Sequence, residues 1–122
     1  MVIGWTDSAH SDLLRSQPST VLGVTRTAWF GVDTGTRPVA AIQAAVVAFN
    51  AADHLPLTGR FSWKAVLLHE LGRVMGLDHA GTGRQLMYPV LAANPTDLQV
   101  GNLTGLSRLG RSAGCVVMPR LG

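Results

Sequence analysis

His69 and Glu70 stand side by side, Gly76 follows six residues after the glutamate, and His79 comes three residues later. Neutral imidazole is a metal ligand, and a carboxylate beside it can accept a proton. In a helix, residues four apart lie one above the other on one face, roughly 6 Å apart along the axis at about 1.5 Å per residue. His69 and position 73 are therefore a ready-made pair of ligand positions. His79 would lie roughly 15 Å from His69 if the helix continued, so it reaches the same ion only if the chain turns back. Gly76 supplies that turn, because glycine adopts positive φ without penalty. Glu70 is displaced around the helix from His69, so it does not bind the ion but can reach a water on it. Position 73 is occupied by Arg73. Guanidinium stays protonated and has no lone pair to give. At about 4 Å and an effective dielectric near 20, its repulsion from a dication is on the order of 8 kcal/mol before relaxation. His69 and His79 alone make a weak site. Asp78 does not rescue it, since neighbours in sequence rarely converge on one tetrahedral ion.

The elements that must hold these residues follow from local signals. Ser62 is a good N-cap for a helix over Trp63–Met75, with Val66, Leu67, Val74 and Met75 at three-to-four spacing and Gly76 as its stop. Upstream, Val2–Trp5 reads as a strand and Thr6-Asp7-Ser8 as its turn. A polar loop then runs from His10-Ser11-Asp12 through Arg15 to Ser19. Thr20–Phe30 is β-branched and aromatic, hence extended, with a bend at Gly23. Gly31–Pro38 is a loop by composition. Ala40–Ala52 is ambiguous; we expect a short helical or irregular lead-in followed by a strand through Val46-Val47-Ala48-Phe49. Asp53–Arg60 is a loop with His54 as a solvated residue, and Ala80–Gln85 is a Gly-rich loop. Leu86-Met87-Tyr88-Pro89 forms a tight apolar turn. A second helix after Pro95-Thr96 carries Leu98, Leu103, Leu106 and Leu109, with Thr96 and Gln99 as a capping box. Gly110–Gly122 is expected to be a loose tail. The expected fold is α/β of the α+β kind: a twisted mixed sheet on the central helix, closed below by the C-terminal helix, in one domain over 1–122.

Bulk properties remove several classes. At 122 residues, 47% hydrophobic and 14% charged, the chain is globular and large enough for a core. No apolar run is long enough to span a bilayer. The net charge of +3 comes from nine arginines and one lysine scattered singly, without the basic cluster or interleaved aromatics of a nucleic-acid surface. Arginine, alanine and glycine in such abundance suit a GC-rich genome. Cys115 is the only cysteine, so no internal disulfide forms, and we read it as a free thiol. Met1-Val2-Ile3-Gly4-Trp5 shows no charged n-region and no long apolar stretch, so no signal peptide is visible. It reads as a strand from its first residue, as if the chain began partway into a domain.

The central stretch resembles the metzincin zinc signature, H-E-x-x-H-x-x-G-x-x-H, with Arg73 where the second histidine stands. Among metzincins the chain is most similar to the matrixins. Met87, eight residues after His79, resembles the Met-turn that floors the metal. Tyr88, Pro89, Val90 and Leu91 resemble the wall of the pocket for the residue after the scissile bond. Val21-Leu22-Gly23-Val24 resembles the edge strand that holds substrate by β-augmentation. Asn102-Leu103-Thr104-Gly105-Leu106 resembles the start of the closing helix, with Asn102 where aspartate is usual. His10-Ser11-Asp12 resembles half of the matrixin structural zinc site, but its partners are missing and we read His10 and Asp12 as loop-capping residues. The family's first strand and first long helix have no counterpart.

The resemblance implies a secreted, monomeric zinc metalloendopeptidase acting on peptides or proteins. In the intact pattern His69, position 73 and His79 hold Zn2+, which lowers the pKa of its water, and Glu70 is the general base. With Arg73 in place we expect weak zinc binding and weak or absent cleavage. The competing class is a catalytically inactive pseudoprotease that binds peptide in the cleft. There Arg73 pairs with Glu70 as a surrogate cation. An accidental motif is the third reading; it requires Gly76 inside a continuous helix and His79 pointing away.

Overall fold

The computed structural model describes residues 1–33, 35, 38–90 and 95–109. Leu91, Cys115 and the tail Gly110–Gly122 lie outside them. The elements are β1 (Val2–Thr6), α1 (Asp12–Arg15), β2 (Gly23–Asp33), β3 (Pro38–Asn50), α2 (Trp63–Val74) and α3 (Val100–Arg108). The three strands form one mixed sheet in the order β1-β3-β2, with β1 parallel and β2 antiparallel to β3. This is the α+β class expected from the sequence. Among the described residues β1 and β2 are the edge strands, and α2 lies against β2.

Four local expectations are corrected. Ala40–Ala44 is not a helical lead-in: β3 is extended from Pro38 onwards because it pairs with β2 along its whole length, and cross-strand pairing overrides the helix preference of alanine. The register shifts between Ala28 and Trp29, where Gln43 is skipped, which explains why the segment lacks a clean alternation. Gly31 to Asp33 belong to the strand rather than the loop, for the same reason. The polar stretch after His10 holds a one-turn helix, α1, capped by Ser11, whose side chain accepts from the Leu13 amide at 3.3 Å. The capping box of the last helix sits three residues later than expected, with Gln99 as N-cap and Asn102 as its partner, so Leu98 precedes the helix.

The core lies between α2 and the sheet. Val47, Phe49 and Val66 are its buried centre, with Leu22, Leu55, Trp63, Leu67 and Val74 packed on them. Burying each such side chain contributes roughly 1.5–3 kcal/mol. An aromatic group pins the start of α2 to the sheet: Trp5 meets Trp63 edge-on at 4.4 Å between ring centres, and Phe49 at 5.3 Å. Ser62 caps α2, accepting from the Ala65 amide at 3.3 Å while its hydroxyl donates to the Gly59 carbonyl at 2.7 Å. At the other end Gly76 turns the chain with φ +100°, and the Gly76 and Leu77 amides return to the Arg73 and Gly72 carbonyls. Gly76 therefore ends the helix, and His79 does not continue it. Among the described residues no helix is long and apolar enough to cross a membrane.

Candidate active site

The turn at Gly76 brings His79 back to His69, with ring centres 5.3 Å apart. His69 is fixed from below: its Nδ1 lies 2.9 Å from the Leu86 carbonyl oxygen. A carbonyl only accepts, so Nδ1 carries the proton and Nε2 keeps its lone pair. The Leu86 amide in turn donates to Asn102 Oδ1 at 3.1 Å, and Asn102 is buried. The first residues of α3 thus set the height of the apolar turn that orients His69. Met87 is almost fully buried in that turn and lies directly under α2. A Cβ on Gly72 would come to 2.5 Å from Met87 Sδ, so any larger residue would force the buried Met87 side chain to move. The Met87 carbonyl also receives the Ala80 amide at 2.8 Å, which ties the loop carrying His79 to the same floor.

Glu70 is buried on the face of α2 that meets β2. The Thr25 hydroxyl donates to Glu70 Oε2 at 2.6 Å and lies 3.2 Å from the Glu70 carbonyl oxygen. The close approach depends on Gly23, where a Cβ would press on Val66 and on Glu70 Cγ at 3.1 and 3.2 Å. Thr25 was not anticipated. Its one signal is the two-residue spacing from Gly23, which puts both on the same face of the strand.

Arg73 does not pair with Glu70. Its Nη1 donates to the Leu77 carbonyl at 3.2 Å and to Asp78 Oδ1 at 2.7 Å. The Asp78 carboxyl is held below the usual aspartate value by the His79 amide, and then by the hydrogen bond and charge of Arg73. His79 sits at the rim and titrates below the ordinary histidine value. Partial burial is the main cause, the positive Arg73 is second and His69 third, with Asp78 opposing them.

A cleft of about 450 Å3 runs past these groups, and His69, Glu70, Arg73 and His79 all line it. Val21, Leu22, Gly23 and Val24 form one wall with Thr25, and Tyr88, Pro89 and Val90 form part of the other. The structure therefore gathers every proposed site residue it describes around one opening, except Gly76 and Met87, which shape the turn and the floor. His10 lies elsewhere, with Nδ1 2.7 Å from Asp7 Oδ1 in the turn after β1, while Asp12 pairs with Arg15.

Zinc needs three protein donors here and meets two. His69 Nε2 has a free lone pair and His79 is close by, but the third position presents a guanidinium. Among the described residues no three histidine, cysteine or acidic side chains stand together as a metal-binding group. This donor set does not fit a zinc ion.

The family model described as Matrixin matches residues 4–109. No curated protein and no solved structure matches the chain.

Proposed function

The chain belongs to the matrixin family, which marks it as a domain of the zinc metalloendopeptidase type, and on that premise we propose that it is a matrixin whose zinc site is broken at one ligand, leaving a peptide-binding cleft with little or no hydrolytic activity. The observation that supports this is Arg73 itself. It stands one helical turn from His69, in the cleft, and its charge is only weakly offset by the exposed Asp78 carboxylate. A cation without a lone pair can neither complete the ligand set nor tolerate a dication at that distance.

What remains is machinery for holding a peptide. Among the described residues Gly23 and Val24 begin a strand at the edge of the sheet, where an extended chain would add as a further strand. We assign Val21 to Val24 to one side of that chain and Tyr88 to Val90 to the other. Glu70 would be the general base of an intact site; here its carboxylate is bonded to Thr25. We read the chain as a single domain, monomeric, with peptide or protein partners, and as bacterial and secreted in its full-length form.

The test is zinc content after dialysis, with hydrolysis of a generic peptide mixture, on this chain and on Arg73→His. The expected result is stoichiometric zinc and cleavage in the variant only. Equal zinc and equal cleavage in both would sink the proposal. A variant that folds but stays metal-free would place the lesion beyond residue 73.

A further inference from the structure

We propose that the cleft selects peptides carrying a carboxylate, and that Arg73 is the group that receives it. The inference rests on the peptide-binding reading above and adds the chemical class of the ligand. Arg73 lines the cleft beside His69, Glu70 and His79. The two hydrogens of its Nη1 go to Leu77 and Asp78. Among the described residues none accepts from Nε or Nη2, the pair of donors that meets a carboxylate side-on and bidentately. Asp78 lines a smaller recess on the other side of Arg73 and not the cleft, so it does not block the approach.

The charges agree. The Arg73 side chain is 34% exposed and Asp78 is 94% exposed, so their ion pair is open to water and only weakly neutralises the guanidinium. Glu70 is the anion that would repel an incoming carboxylate. It is buried, holds the Thr25 hydroxyl at 2.6 Å and forms no ion pair with Arg73. A monocation with directed N–H donors recognises a full negative charge in preference to a neutral amide. The carboxylate can come from an aspartate or glutamate side chain or from the peptide's own C-terminus.

Fluorescence anisotropy with short labelled peptides separates the sources. The set is one neutral sequence with a free C-terminus, the same sequence amidated, the amidated sequence with a central glutamate, and its glutamine counterpart. The expected result is that one carboxylate form binds roughly 10- to 100-fold tighter than its neutral match, in line with a hydrogen bond to a charged group. Arg73→Gln should abolish that preference and Arg73→Lys should keep part of it. Asp78→Asn should sharpen it, and added salt should weaken it. Equal binding of all four peptides, or a preference that survives Arg73→Gln, overturns the assignment of Arg73 while leaving the cleft reading intact. Binding of none overturns both.

Discussion

Glu70 shows how one hydroxyl can decide the state of a site. A carboxylate buried against β2 loses its hydration, and that loss is tolerable only where donors replace the water. Here Thr25 Oγ1 supplies the donor at 2.6 Å, and Gly23 supplies the room. Thr25→Val keeps shape and β-preference while removing the donor, so it should destabilise the fold by about 1–3 kcal/mol. Thr25→Ser, which restores a hydroxyl, should recover most of it. Urea unfolding of the three proteins measures this directly. A Thr25→Val midpoint equal to that of the parent would mean that water reaches Glu70 and that the contact is incidental. Neither Thr25 nor Asn102 was legible as a site residue in the sequence. Each acts across a long separation, 45 residues to Glu70 for one and 16 to Leu86 for the other, and no local pattern encodes such a contact. His69, Glu70 and His79 were legible because helical spacing and one glycine bring them together locally.

At the scale of elements, α2 is the piece best written into the sequence, because a serine cap and a glycine stop punctuate it at both ends. β3 is the piece least well written. Its alanines favour helix, and only the ladder to β2, with its irregularity at Gln43, makes it a strand. α1 is one turn long, too short for any period to appear. The packing of α2 on the turn beneath it is a question of clearance, and Gly72 is its limiting residue. A methyl group there would meet Met87 Sδ at 2.5 Å and Met87 Cε at 3.1 Å, while Met87 itself is held in a turn anchored to Asn102 through Leu86. Gly72→Ala gains helix preference but must displace the floor. Overpacking of this kind costs typically 1–3 kcal/mol, against roughly 1 kcal/mol from propensity. Net destabilisation is expected, with loss of peptide binding because His69 hangs from the same turn. Combined with Met87→Ala, which opens the space the new methyl needs, the loss should be smaller than the sum of the two single losses. Thermal unfolding of the two single variants and the double variant tests this; strictly additive losses would refute the steric account.

At the scale of the molecule, the loop after α2 is tied back by hydrogen bonds from Leu77 to Gly72, from Arg73 to Leu77 and Asp78, and from Ala80 to Met87. These ties partly bury His79 and bring it near Arg73; burial first, and the guanidinium second, lower its proton affinity in the folded state. The linkage has a definite sign. A base with lowered folded pKa stabilises the fold above its ordinary value, and that contribution is lost as pH falls, because the unfolded chain takes up a proton the folded chain resists. Stability should therefore decline between about pH 7 and about pH 5, the range in which an ordinary histidine charges. A separate decline should follow at lower pH. Asp78, and Asp97 in its ion pair with Lys64 from α2, sit below the usual aspartate value; their contribution is present above that value and disappears as pH drops through the folded one. The two steps respond to different substitutions. His79→Gln should remove the first and spare the second. Arg73→Gln should shrink the first without removing it, since burial rather than the guanidinium is its larger cause. Asp97→Asn should shrink the second and leave the first in place. Urea midpoints measured across the acid range decide the matter. A parent midpoint that stays level down to about pH 5 would mean that His79 is as free to protonate in the folded chain as in the unfolded one, and that the turn at Gly76 neither buries it nor brings it against Arg73.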